Sequence, residues 1–186
     1  MNEKLMRKIN NLENIERSPA EKLFQFVSLN KEDKLLDLGA GVGYISLPIS
    51  KYVEEVTALD FDEDILKYLE TKAEENGITN INTLVSDFKD LQIGDEEFDK
   101  AVASISLHEV TPLSIALGEI YRVLKNKGMF LCIELEKSAL STGPRVSSEN
   151  MKEEILAAGF DIVDVHYPQA KLANQSVYVV VAQKNK

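Results

Sequence analysis

Three glycines separated by single residues, Gly39, Gly41 and Gly43, follow the apolar run Leu35-Leu36-Asp37-Leu38. This spacing suits a turn whose backbone comes close to a ligand, because a Cβ at such positions would occupy the ligand's space. Two carboxylates frame the turn. Asp37 stands two residues before the first glycine, and Asp60 lies 17 residues after Gly43, at the end of the next apolar run. A carboxylate placed like Asp60 can accept both hydroxyls of a ribose. One placed like Asp37 suits a cationic group, an ammonium or a sulfonium, and suits an anionic pyrophosphate poorly. The dinucleotide pattern G-x-G-x-x-G would require glycine at 44, where the chain has Tyr44. A tight turn with no ligand leaves acidic residues at two successive strand ends unexplained, whereas a cofactor site explains both.

A second group follows the fourth apolar run, in Ser106-Leu107-His108-Glu109-Val110. A histidine can take a proton near neutral pH, and Glu109 could orient it. The other reading, that His108 braces its loop, stays open, since a general base is needed only when the reacting group arrives protonated. Glu134 and Arg145 are further candidates for substrate contact, Arg145 for an anionic one. His166, on a late strand, reads as structural, and Tyr44 either closes over the site or starts a helix. Cys132 sits in Met129-Phe130-Leu131-Cys132-Ile133 with no charged neighbour, so it reads as a small buried hydrophobe.

These residues need elements to position them. Strand-like runs at 34–38, 53–59, 81–85, 98–105 and 129–133 alternate with helix-like stretches. Asp62 opens one helix, with Ile65, Leu66 and Leu69 at helical spacing and Gly77 as its terminator. Ser18-Pro19-Ala20-Glu21 has the form of a helix start, predicting a helix to about Leu29. Others are expected from Tyr44 to Tyr52, from Ser114 to Leu124, and from Ser147 or Ser148 to Gly159. Strands at 160–166 and 177–182 finish the chain. Alternation implies a mainly parallel sheet covered on both faces, and the last two strands lie too close for a helical crossover, so the final one is antiparallel. That makes an α/β fold with seven strands. Residues 1–17 form a lead-in or lid, and 18–186 a single domain.

The chain has 186 residues, one cysteine and a net charge of −10. That length supports a core without staples, and a single thiol indicates no internal disulfide. An acidic surface disfavours DNA or RNA as the main partner. The first 16 residues lack the apolar block of a signal peptide, and no run of 18 apolar residues predicts a membrane span. The expectation is a cytoplasmic protein with no metal.

Asp37 to Gly43 resembles the acidic-x-Gly-x-Gly-x-Gly motif of class I S-adenosylmethionine-dependent methyltransferases. Leu59-Asp60-Phe61, Asp87-Phe88 and Phe98-Asp99-Lys100-Ala101-Val102 are similar to the later motifs of that superfamily in the same order. So is Ile120 to Gly128, with Asn126-Lys127-Gly128 where many members have Pro-Gly-Gly. The resemblance, over about Ser18 to Ala182, implies a Rossmann-like three-layer sandwich and S-adenosyl-L-methionine as cofactor. By this resemblance Gly39, Gly41 and Gly43 line its methionine and ribose portion, and Asp37 faces the amino group through backbone or water. Asp60 holds the ribose, Phe61 lies against the adenine, Asp87 accepts the adenine amino group, and Phe88 packs nearby. Ser104, at the end of the fourth strand, joins the cofactor contacts; similar small methyltransferases carry a comparable Leu-His-Glu segment, which keeps His108 and Glu109 as the catalytic candidates without assigning them a role. Core packing is the competing role for Phe61 and Phe88, and a cap or turn the competing role for Asp87. The chain lacks Asn-Pro-Pro-Tyr after strand 4, which argues against methylation of nucleic-acid bases. The pattern is similar to quinone-biosynthesis C-methyltransferases, so the expected acceptor is a small molecule, with residues 1–17 and the loop 138–146 as its lid. A non-catalytic S-adenosylmethionine-binding module and an NAD(P)-dependent oxidoreductase are the alternatives.

Overall fold

The computed structural model describes residues 3–138, 143–168, 171–172 and 175–185. Five parallel strands come first: β1 (Lys34–Leu38), β2 (Glu55–Asp60), β3 (Ile81–Val85), β4 (Phe98–Ser104) and β5 (Leu124–Leu135). After them come β6 (Asp161–His166), β7 (Lys171–Leu172) and β8 (Gln175–Gln183). The sheet order is β3-β2-β1-β4-β5-β8-β6, with the two-residue β7 pairing β8 off that path. The last strand is antiparallel to both neighbours, β5 and β6, as its short connection requires. The short β7 was not foreseen.

Side-chain alternation along these strands builds two core layers. Leu36, Cys132, Tyr178 and Val180 face one side, against Leu117 and Ile120 of α4 (Leu113–Val123) and Met151 and Ile155 of α5 (Ser148–Ala157). Their strand neighbours Leu35, Leu131, Ile133 and Val179 face the other, against Phe24, Val27, Ile45 and Ile49. A strand buried on both faces must be apolar throughout, and the buried part of β1, Leu35 to Leu38, is so except for Asp37. Cys132 is fully buried, and burial pushes its thiol well above its usual range.

Two expected helices are shorter or tighter than periodicity predicts. Ala20–Phe26 is a 3-10 segment that begins after an extended Pro19, with no side-chain cap, so the Ser18 cap is not made. The hydroxyl of Tyr44 donates instead to the Ser18 carbonyl, at 2.5 Å. Packing of Phe24 and Val27 on the sheet outweighs the local start signal there. The expected helix 44–52 reduces to α2 (Ser46–Ile49) and a 3-10 turn, Ser50–Tyr52. Pro48 removes an N–H, and the Ser50 hydroxyl takes the Leu47 carbonyl, so continued α-helix loses its bonds. Elsewhere α3 (Glu63–Glu75) starts with Asp62 capping the N–H of Asp64 and Ile65, and Gly77 follows its end at φ +67°. The lead-in forms α1 (Glu3–Glu13), whose Ile9 packs with Val42 and Ile65.

Strand order reverses between β1 and β4, whose ends face the same edge of the sheet. At such a switch point the two following loops diverge and leave a crevice. The glycine turn and the His108 segment are those two loops.

Candidate active site

The glycine turn is folded over the end of β2. The N–H groups of Gly39 and Ala40 both donate to the Leu59 carbonyl, and that of Gly41 donates to Asp60 Oδ2 at 3.0 Å. Asp60 Oδ1 accepts from the Asp62 N–H at 3.1 Å, which holds the carboxylate at the crevice edge with 8 % exposure. The three glycines do different work. All have positive φ, at +80°, +52° and +89°. A Cβ on Gly39 would lie 2.6 Å from Ser106 Cβ, and one on Gly43 would lie 2.4 Å from Leu69 Cδ1. On Gly41 a Cβ would meet nothing nearer than Leu12 Cδ1, in ordinary van der Waals contact at 3.7 Å. Gly39 and Gly41 therefore line the crevice, while Gly43 lets α3 pack closely.

Asp37 lies beneath the turn, 1 % exposed, and accepts the Ser46 hydroxyl at 2.6 Å. Burial pushes its carboxyl up to about 7, partly opposed by the Ser46 hydrogen bonds and reinforced by the nearby Asp60. It touches the crevice only through the turn it supports.

The crevice holds a cavity of about 510 Å³ lined by Gly39, Gly41, Asp60, Phe61, Asp87 and Phe88, with Ser86 and Ser106 between them. Phe61 is 71 % exposed, so core packing is excluded for it; its ring lies under the Lys8 ammonium, 5.1 Å from the centroid. Phe88 is buried in the core and also lines the cavity, so packing and cavity lining coincide in it. Asp87 Oδ1 accepts the Lys89 N–H at 2.9 Å, the local turn bond expected of an Asp there, while its carboxylate stays open to the cavity. Lys8 and Leu12, both on α1, close the outer wall.

Beyond Gly41 the crevice continues into a second cavity, of about 210 Å³, which includes Ser104, Ile105, His108, Glu109, Arg17 and Tyr44. Here the structure corrects one expectation. Glu109, expected to orient His108, lies 3.9 Å from its Nε2. The orienting carboxylate is Glu134. Its Oε2 is 2.8 Å from His108 Nδ1, and its Oε1 accepts the N–H of Leu107 at 2.9 Å and of His108 at 3.2 Å. Glu134, expected as a substrate contact, is 1 % exposed and does not line these cavities. A carboxylate within the apolar run Phe130 to Leu135 must find partners, and that was the readable signal. With Oε1 engaged by two donors, Oε2 is the acceptor for an Nδ1–H, which leaves the Nε2 lone pair of the neutral ring free.

Ile105 stands between these groups at φ +57°, a conformation that strains a β-branched residue, and its N–H donates to the Ile133 carbonyl. The hydroxyl of Ser104 is buried without a partner among the described residues. Arg145 turns to Gln175 Oε1 and to the Pro144 carbonyl rather than to these cavities. In the loop 138–146, expected as part of a lid, residues 139–142 lie outside the described residues. His166 stacks on Phe26 at 3.8 Å between centroids and sits 3.1 Å from Asp164. Arg17 and Leu12, which sequence reasoning passed over, became visible as wall residues only once α1 docked.

A backbone cradle that a Cβ on Gly41 would fill, a carboxylate placed for a ribose, and an aromatic side chain exposed beside them fit S-adenosylmethionine. Fold and site together define the class I S-adenosylmethionine-dependent methyltransferases. Residues 36–132 match the family model described as "Methyltransferase domain", and the chain belongs to that family. A demethylmenaquinone methyltransferase of Staphylococcus carnosus is 32% identical over 138 residues, covering 72% of this chain and 56% of that protein. A crystallised SAM-dependent methyltransferase from Aquifex aeolicus superposes with a TM-score of 0.80 at 23% identity, over 95% of this chain and 97% of that one. The [4+2]-cyclase SpnF shares the fold with a TM-score of 0.81 at 20% identity, over 89% of this chain and 79% of that one. The chain spans about half the length of the curated relatives it matches. Among the described residues no helix is long and apolar enough to cross a membrane.

Proposed function

We propose that this chain transfers the methyl group of S-adenosylmethionine to a small-molecule acceptor, with His108 receiving the proton that the acceptor gives up. The observation that carries this reading is that the glycine cradle and His108, held from behind by the buried Glu134, open into one continuous crevice, sharing Gly39, Gly41, Ile105 and Glu109 along its walls. When bound, S-adenosylmethionine supplies a methyl group already activated by its sulfonium. The chain then needs to bind, orient and dry the site, and orientation of this kind is worth about 7–11 kcal/mol.

In this reading Gly39 and Gly41 admit the cofactor to the backbone, Asp60 accepts the ribose hydroxyls, and Phe61, Asp87 and Phe88 border the adenine. Asp37 keeps the turn in shape through Ser46, and Ser104 adds a hydroxyl at the junction. Residues 1–17 act as a lid, with Leu12 and Arg17 excluding water. A crevice that continues past the cofactor cradle supports catalysis over a purely cofactor-sensing role, because a sensor needs no room for an acceptor. The quinone methyltransferases among its relatives support a small acceptor without identifying it.

Calorimetry with S-adenosylhomocysteine and NADH tests the cofactor. We expect binding of the first and none of the second. Binding of NADH alone would overturn the reading. Transfer of labelled methyl to small phenols, amines or quinone precursors then tests the activity itself.

A further inference from the structure

Beyond Tyr44 the crevice meets a separate small cavity of about 130 Å³. Its walls are Leu23 and Phe26 from the 3-10 segment, Ile133 from β5 and Val177 from β8, with Tyr44 and Ile105 on the side shared with the crevice. A dry apolar cavity of about 150 Å³ is enough to bind benzene, so this one is of single-ring size.

Its polar groups are unusual. Ser104, shared by cavity and crevice, has a buried hydroxyl with no partner among the described residues. Arg17 borders both spaces as well. Its guanidinium lies over the Tyr44 ring at 4.6 Å and donates to the Leu12 carbonyl. No carboxylate among the described residues pairs with it, and burial pulls its affinity for a proton below the usual value. Lys22, exposed at the rim, makes no ion pair among the described residues either, and no acidic side chain lines the cavity. In a chain with a net charge of −10, a partly desolvated arginine without an acidic partner stands out. Withdrawing a cation from water is costly unless an anion compensates, and nothing in the walls supplies one.

We propose that this cavity is the acceptor site, and that it takes a ring-sized apolar molecule bearing a carboxylate or another anionic group. The apolar walls hold the ring. Arg17, preorganised by its stacking on Tyr44, binds the anion with charge-assisted hydrogen bonds, and Lys22 adds positive potential at the entrance. The Ser104 hydroxyl offers a hydrogen bond at the boundary with the cofactor cradle. The assignment of the ligand as acceptor rests on the methyl-transfer reading above; the selectivity of the cavity does not. Arg17 also borders the crevice, so the rival use of the same chemistry is to hold the carboxylate of the cofactor's methionine portion.

Benzoate and its neutral analogue benzamide separate these possibilities. Binding of each is measured by ligand-observed NMR and calorimetry, on the free chain and on the chain saturated with S-adenosylhomocysteine. We expect benzoate to bind at least tenfold more tightly than benzamide. R17M should remove most of that preference, R17K should retain part of it, and L23W, which fills the cavity from a surface segment, should abolish binding of both. Affinity for S-adenosylhomocysteine should stay within twofold in L23W, and melting curves report that all three variants fold. Equal binding of the two probes, or binding of neither, overturns the proposal. So does an R17M variant that loses S-adenosylhomocysteine while keeping its preference for benzoate, since the cation would then serve the cofactor. If the wild-type chain fails to bind S-adenosylhomocysteine yet prefers benzoate, the methyl-transfer reading fails and the anion-selective cavity stands.

Discussion

Glu134 Oε2 lies 2.8 Å from His108 Nδ1, while its other oxygen accepts two backbone N–H groups of the same loop. One buried carboxylate thus sets both the path of the chain after β4 and the orientation of the imidazole. Because Leu107 and Glu134 are buried, water cannot replace these bonds easily.

Glu134→Gln keeps the shape of the side chain and alters the orientation and basicity of His108. Turnover should fall by about 100-fold if His108 is the base, the low end of the range for general acid–base catalysis. Affinity for S-adenosylhomocysteine should be retained. Steady-state kinetics and calorimetry on the same preparation check this, and unchanged turnover would leave Glu134 as a loop anchor alone. Glu134→Ala strands two backbone donors and should also cost about 1–3 kcal/mol of stability in urea titrations.

The three glycines should separate by mechanism. Gly43→Ala pushes a methyl toward Leu69 and Leu47, so it should lower the melting temperature most. Gly41→Ala makes only ordinary van der Waals contact, with Leu12, at φ +52°, so its stability cost should be only about 1 kcal/mol, yet it should lose cofactor affinity because the methyl occupies the cradle. Gly39→Ala should show both effects through Ser106. Equal loss of cofactor affinity across the series would contradict this division of roles.

Asp60→Ala removes a charged acceptor from the crevice edge and should weaken S-adenosylhomocysteine binding by about 1–3 kcal/mol. The same change frees the Gly41 N–H, so Asp60→Asn, which keeps an acceptor oxygen, should lose less. Calorimetry orders the three proteins. Unchanged affinity in a folded Asp60→Ala variant would sink the ribose assignment.

Burial raises the Asp37 carboxyl from 3.8 to about 7, so the folded chain holds this proton more tightly than the unfolded one. The stabilising contribution is complete below pH 3.8 and is lost as pH rises toward 7, on the order of 4 kcal/mol over the full window. Asp37→Asn cannot ionise, so its stability relative to wild type should improve steadily between about pH 4 and 7 and level off above. Denaturant titrations of both proteins across that range measure the difference. A constant difference would mean that Asp37 ionises normally in the folded chain.

Periodicity, glycine spacing and acidic strand ends were enough to read the parallel sheet, the antiparallel last strand and the turn after β1. These signals are local: an apolar run must be covered on both faces, and a glycine at positive φ marks its own turn. The readings that failed depended on partners distant in sequence. Ser18 has the form of a cap, but its carbonyl goes to Tyr44, 26 residues on. Glu109 is the near neighbour of His108, but the buried Glu134, also 26 residues away, wins because it already holds two N–H groups of the same loop and lies against the ring.

By itself, then, the sequence determined where the chain turns and which residues stand at the carboxyl ends of the strands, since backbone geometry and the alternation of side chains follow from local chemistry. Only the tertiary structure decided which carboxylate holds His108, which glycine faces packed side chains and which the crevice, and that the segment after α1 lays Arg17 over Tyr44. Each of those outcomes is a competition for burial and hydrogen-bond partners among segments far apart in the chain, and such a competition is settled only when the segments meet.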